Sequence, residues 1–199
     1  MSVFNLLIVG VGGQGTLLAG KIIGTAAVMQ GMDVKISEVH GMAQRGGSVV
    51  THVRIGQGVP VHSPLVETGT ADLILAFEIL EAIRWLEYLK PGGQVVSNLQ
   101  QIKPMPVVDG RMAYPTGIRE KILAVCPKAL FPDALKTAME CGSIRAVNMV
   151  LLGVAAARLP IPRDTWLHAV QAAVPESFAE INRRAFERGY AWSGVAAPA

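Results

Sequence analysis

A largely apolar run, Phe4 to Val9 (FNLLIV), ends in Gly10-Val11-Gly12-Gly13-Gln14-Gly15, and a helical pattern begins immediately behind it. That junction limits the fold more than any other feature of the chain. A short apolar run ending at glycine reads as a strand buried on both faces. Leu17, Leu18, Ile22, Ile23 and Val28 then recur at helical spacing until Gly31. Strand, tight glycine turn and helix, in that order, open a βα unit, and such units build parallel sheets covered on both sides.

The rest of the pattern agrees. Strand signals recur at 33–39, 49–55, 71–77 and 94–98, with a helix at 78–89 ended by Lys90-Pro91-Gly92-Gly93. The stretch 100–115 reads as a connection with one extended piece at 106–108, and Ala129 to Phe131 as an added edge strand. From 116 onward the periodicity is helical: 116–125, 133–141, 143–158, 163–173 and 176–188. The expected architecture is α/β: a three-layer α/β/α arrangement with a mostly parallel, Rossmann-like sheet and a helical C-terminal part. One domain spans 1–199, with a flexible tail at 190–199. Strand order is not legible, and the third strand need not be parallel.

Only 17% of the residues are charged while 51% are hydrophobic, against about 25% charged in an ordinary soluble domain. Such a surface is explained by a membrane or by a covering partner. A membrane helix needs roughly 18 consecutive apolar residues. The run 146–159 contains Asn148 and is bracketed by Arg145 and Arg158, and the helix after Gly15 is interrupted by Lys21. The N-terminus lacks a basic, signal-like start. The expectation is a cytoplasmic chain with a face buried against another subunit. A net charge of +3 with scattered basic residues gives no nucleic-acid footprint. Cys126 and Cys141 are too few to hold an iron–sulfur cluster, no Cys/His spacing suggests zinc, and both read as small buried apolar groups.

The glycine loop has two readings. In the first, Gly10 permits the tight turn, Gly12 leaves room for a ligand and Gly15 lets the helix pack closely, while the helix start offers free N–H groups to an anion. Glu38, at the end of the second strand, then stands where an acid would take a ribose hydroxyl. In the second, the glycines serve only the packing of the first helix. Adenylating enzymes of the ubiquitin-activating type use a similar loop, so the motif alone does not select a ligand.

Between the second and third strands lies Glu38-Val39-His40-Gly41-Met42-Ala43-Gln44-Arg45-Gly46-Gly47-Ser48. A segment this rich in glycine is costly to order and makes sense if a ligand or a partner holds it. His40, Gly41, Gln44, Gly46, Gly47 and Ser48 are candidates for a subunit-interface or active-site loop. His40 is a weak candidate for acid–base work, having only Glu38 beside it as a titratable neighbour. Arg45 could clamp a phosphate or carboxylate, or form an intersubunit ion pair.

The string EVHGMAQRGGSVVTHVRIG, with GVGGQG upstream, resembles the gamma subunit or domain of the 2-oxoacid:ferredoxin oxidoreductases, in the form found in the beta subunit of the indolepyruvate enzymes. Further similarity lies in Ala71-Asp72-Leu-Ile-Leu-Ala-Phe-Glu78 with Glu81-Ala82, in Lys90-Pro91-Gly92-Gly93, in Arg145-Ala-Val-Asn148-Met-Val-Leu-Leu-Gly153, and in Glu180-Ile-Asn182-Arg-Arg-Ala185-Phe. It covers about residues 3 to 190 and is weakest at 100–130.

The resemblance implies a complex that decarboxylates a 2-oxoacid on thiamine diphosphate, passes electrons through iron–sulfur clusters to ferredoxin, and releases an acyl-CoA. This chain shows no Gly-Asp-Gly with the Asn-Asn that follows it in thiamine enzymes, Asp109-Gly110 having no such continuation. Thiamine diphosphate, magnesium and the clusters are therefore expected on a larger alpha subunit, with no cofactor on this chain alone and no activity without the partner. Gly10, Gly12, Gly13, Gln14, Gly15, Glu38 and Arg45 are the candidates for contacting coenzyme A or another anion. Pyruvate, 2-oxoglutarate and branched-chain oxoacids stay open as substrates. From other classes, an NAD(P)-dependent oxidoreductase and a nucleotide-sensing module stay open too.

Overall fold

The computed structural model describes residues 2–40 and 47–192. Gly41, Gln44, Arg45 and Gly46 lie outside the described residues, as do the side chain of His40 and the tail from 193. The chain runs β1 (Ser2–Val11), α1 (Thr16–Met29), β2 (Asp33–His40), β3 (Ser48–Gln57), β4 (Ala71–Ala76), α2 (Ile79–Arg84) and β5 (Leu89–Ser97). It then forms α3 (Met105–Val108), α4 (Ile118–Val125), α5 (Ala134–Glu140), α6 (Val147–Ala156), α7 (Arg163–Ala173) and α8 (Glu176–Tyr190). The last helix thus takes in Tyr190, the first residue of the expected tail.

The sheet order is β2-β3-β1-β4-β5. β1 pairs in parallel with β4, and β4 with β5, whereas β3 is antiparallel to both its neighbours. Four strands therefore point one way and β3 alone opposes them. Alternation along β1 explains the layers. Leu6 and Ile8 face a core built with α1, α5, α6, α7 and α8, whereas Leu7 and Val9 face a smaller core with α2 and α4. Cys141 belongs to the first core and Cys126 to the second. Both thiols are buried and free, on opposite faces of the sheet, where they can share neither a disulfide nor a cluster.

Two glycine contacts set the larger layer. A Cβ on Gly153 of α6 would stand 2.2 Å from the Phe186 carbonyl oxygen, and one on Gly189 of α8 2.0 Å from that of Val150. α6 and α8 therefore meet backbone against backbone.

Four local expectations are corrected. The helix expected over 78–89 stops at Arg84, followed by a single 3-10 turn at Leu86–Tyr88. Lys90 to Gly93 is not a turn before a strand but a bulge within β5, which pairs Leu89 with Ala71 and resumes with Gln94 opposite Leu73. Gly93 is required there, since a Cβ would lie 2.9 Å from the Ala71 carbonyl oxygen. Residues 105–108 are a helical turn rather than extended, because the fixed φ of Pro106 suits the first turn and Pro104 supplies the carbonyl for Val107 and Val108 N–H. The edge strand expected at 129–131 reduces to one bridge, Leu130 beside Val96.

Candidate functional site

All four parallel-running strands end at the same edge of the sheet. α1 leaves β1 toward one face and α2 leaves β4 toward the other, so a crevice opens between β1 and β4 at the point where ligands enter sheets of this type.

Gln14 organises the crevice. Its Oε1 accepts the Val11 N–H at 2.8 Å, and its Nε2 donates to the Phe77 carbonyl at 3.0 Å and to Gln100 Oε1 at 3.3 Å. One amide thus ties together the ends of β1, β4 and β5. Its hydrogen-bonding groups are committed to the protein, as is the Gly12 N–H, which donates to the Gly47 carbonyl at 3.0 Å. Gly10 fits because a Cβ would press on Phe77 and Thr16. Gly15 has φ +86°, and a Cβ there would lie 2.6 Å from Asn148 Nδ2 on α6. The close approach of α1 to the sheet is made instead by Gly20 and Gly24, against Thr51 and Ile36.

The open space lies on the α6 side. A cavity of about 220 Å³ is lined by Gly13, Gln14, Phe77, Gln100, Arg145 and Asn148. A second, of about 200 Å³, shares Arg145 and Asn148 and extends toward the start of α8. α1 and α8 begin around them without a side-chain cap, and α6 continues the 3-10 turn Ile144–Ala146, which the Ser143 hydroxyl caps by accepting the Arg145 N–H. The first bond of α1 runs from Ala19 N to Gly15 O, which leaves the N–H groups of its first turn without helical acceptors. Arg145 is exposed, and Asn148 Oδ1 is buried with no hydrogen-bond partner. The helix start and Arg145 favour an anion, whereas Asn148 Oδ1 calls for a hydrogen-bond donor beside it. Ile144 (62% exposed), Phe178 (52%) and Leu135 stand exposed at the two cavities, a rim suited to another protein surface.

The other candidates separate. Gly47 and Ser48 meet the glycine loop: Ser48 opens β3 opposite Val11, and its hydroxyl donates to Glu81. Glu38 does not reach the loop. β3 stands between β2 and β1, so Glu38 is one strand further out than a ribose-binding acid in a dinucleotide domain. Among the described residues its buried Oε2 has no partner, and neither has the buried hydroxyl of Thr51, opposite it on β3. This takes Glu38 out of the support for the nicotinamide reading and leaves it only the glycine loop.

Glu78, Glu81, Gln100, Arg145 and Asn148 are absent from the site candidates, although all but Gln100 lie in stretches that carry the family resemblance. Their signal in the sequence is a polar residue set within or beside an otherwise apolar segment, as in Phe77-Glu78-Ile79-Leu80-Glu81-Ala82. Among the described residues no group of three His, Cys, Asp or Glu could hold a metal ion. No helix among them is long and apolar enough to cross a membrane.

Residues 5–192 match the family described as pyruvate ferredoxin/flavodoxin oxidoreductase. The indolepyruvate oxidoreductase subunit IorB of Thermococcus kodakarensis is 40% identical over 194 residues, covering 95% of each chain. The common gamma subunit of the pyruvate/ketoisovalerate oxidoreductases of the same organism is 26% identical, covering 91% of this chain and 92% of that one. Among solved structures, the gamma subunit of a keto/oxoacid ferredoxin oxidoreductase from Geobacter sulfurreducens superposes with a TM-score of 0.68 at 25% identity, covering 94% of this chain and 96% of that one.

Proposed function

Because the chain belongs to the pyruvate ferredoxin/flavodoxin oxidoreductase family, we propose that it is the small subunit of an indolepyruvate-type 2-oxoacid:ferredoxin oxidoreductase. It completes the active-site cleft of a larger alpha subunit in a cytoplasmic complex. The 40% identity to an indolepyruvate subunit, against 26% to a pyruvate/ketoisovalerate one, favours aryl pyruvates as substrates. Thiamine diphosphate, magnesium and the iron–sulfur clusters sit on the partner. Electrons leave to ferredoxin through the complex, and coenzyme A takes the acyl group.

The observation that carries the reading is the crevice itself: an electropositive cavity edged by exposed apolar side chains, at the carboxyl end of a parallel sheet. In this chain's share of the work, the start of α1 and Arg145 hold phosphate groups of coenzyme A, with Asn148 as a polar contact. The apolar rim seals against the partner and excludes water. Arg45 supplies a second cation, and the segment His40 to Ser48 meets the partner.

The test is co-expression with the larger subunit. The complex should co-purify with thiamine and iron and turn over indolepyruvate in preference to pyruvate or 2-oxoglutarate. Arg145→Ala, and separately Arg45→Ala, should raise the KM for coenzyme A about tenfold, the worth of one charge-assisted contact, with cofactor content unchanged. Turnover of an oxoacid, or reduction of a nicotinamide, by the purified chain alone would refute the reading.

A further inference from the structure

Two carboxylates at this edge are nearly sealed from solvent yet line neither cavity: Glu78 is 1% exposed and Glu81 4%. Burying a charge is costly unless hydrogen bonds replace its water. Here the bonds are numerous, and they lead in two directions.

Glu78 Oε2 accepts the Glu81 N–H at 2.9 Å, capping α2. Its Oε1 accepts the Ile102 N–H at 3.1 Å and the Tyr114 hydroxyl at 2.7 Å. Burial and this carboxylate push the Tyr114 phenol far above its ordinary pKa, so it stays a donor. Glu81 Oε1 accepts Arg84 Nε at 3.1 Å, and Oε2 accepts the Ser48 hydroxyl.

Each carboxylate therefore grips one wall of the cleft. Through Ser48, Glu81 holds the start of β3, where Gly47 takes the Gly12 N–H and Ser48 lies opposite Val11. That wall is the glycine loop. Through Ile102, Glu78 holds the irregular segment that leaves β5, where the Gln100 carbonyl takes the Ile79 N–H and the Gln100 side chain takes Gln14 Nε2. That wall is Gln100. A helix of six residues does not need two buried acids for its own stability, since an exposed Ser or Asp supplies a cap equally well.

We infer that Glu78 and Glu81 are positioning residues of the cleft, which fix the glycine-loop wall and the Gln100 wall relative to each other for a ligand they do not touch. This inference rests on the reading of the cleft as the coenzyme A side of the assembled enzyme, and one arm of its test does not.

In the complex, with coenzyme A as the varied probe, Ser48→Ala and Glu81→Gln each raise its KM about tenfold, the worth of one hydrogen bond to a charged group. The kcat stays within about twofold, because the groups touching the reacting atoms are intact. The double variant raises the KM by less than the product of the two single effects, since both act on the Ser48–Glu81 bond. Ser48→Thr, which keeps the hydroxyl, restores the parent KM. The second arm is amide hydrogen exchange on the full chain without its partner. Ser48→Ala and Glu81→Gln accelerate exchange at residues 9–16, while Tyr114→Phe accelerates it at 98–102 and leaves 9–16 unchanged. A merely stabilising role lowers the melting temperature without this split between KM and kcat, and without separate responses at the two walls. Additive effects of Ser48→Ala and Glu81→Gln, or parent-like exchange in every variant, overturn the inference. If the wild-type complex proves indifferent to coenzyme A, the functional reading fails, and the exchange arm still decides the positioning role.

Discussion

Gly153→Ala is the sharpest probe of the helical layer, because two effects of known sign oppose each other. Helix propensity favours alanine over glycine by about 1 kcal/mol in a helix interior. Against it, the new Cβ would stand 2.2 Å from the Phe186 carbonyl oxygen and 2.7 Å from the Tyr190 nitrogen. Ordinary contact begins at 3.4 Å, so α6 and α8 must part by about 1 Å, a gap that already forfeits a quarter to a half of each dispersion contact across it. Phe186 and Leu151 are fully buried beside this contact. Overpacking of this kind costs about 1–3 kcal/mol and occasionally more, and a contact made by backbone at 2.2 Å belongs at the upper end. The net expectation is a loss of about 2 kcal/mol, or a melting temperature lower by roughly 4–8 °C in a chain of this size. Differential scanning calorimetry of the purified chain measures it directly. Gly189→Ala, whose Cβ would lie 2.0 Å from the Val150 carbonyl oxygen, should match it. The double variant should cost less than the sum, because the helices part only once. An unchanged or raised melting temperature for Gly153→Ala would show that the helices have room, and the backbone-to-backbone contact would have to be abandoned.

Two further expectations concern the other elements. Gly15→Ala should destabilise more than Gly13→Ala: both glycines have positive φ, which costs a non-glycine residue about 1–2 kcal/mol, but only at Gly15 does a side chain also strike Asn148. Urea midpoints of the two variants decide this, and equal midpoints refute it. His52, buried on β3, accepts the Val66 N–H through Nδ1 at 3.1 Å, and burial holds its pKa below the ordinary 6.5. Below that ordinary value the unfolded chain takes up the proton first. The contribution of neutral His52 is therefore complete above it and fades as the pH falls toward the depressed native value. The urea midpoint should drop more on acidification in the parent than in His52→Gln, which accepts the same N–H without titrating; parallel curves would exclude His52 as the cause.

The sequence carried some of this plainly and the rest not at all. β1, the glycine turn and α1 are legible because an apolar run, a turn that needs positive φ and a helical stripe are each local signatures. The placement of β3 is not, since a strand such as Val49 to Ile55 advertises that it is buried but not beside whom, and the interposed strand is what moves Glu38 out of reach of the loop. Pro106 misleads for a physical reason: its fixed φ serves an extended piece and a first helical turn alike. Glu78 and Glu81 were readable as acids in an apolar segment, though their partners Ser48, Ile102 and Tyr114 lie 33, 24 and 36 residues away. Asn148 interrupts a run that would otherwise look like uniform core, and only the fold shows it crossing to Gly15.

β1 occupies the centre of the sheet with no neighbour nearby in the chain: Val9 lies opposite Val50 on one side and Ala76 on the other. β2 and β3 form a hairpin complete without it. Until both flanking strands are seated, Gly12 has no carbonyl of Gly47 to meet and Gln14 has no Phe77 to bind. The pocket is thus a property of the finished sheet and of no fragment of it.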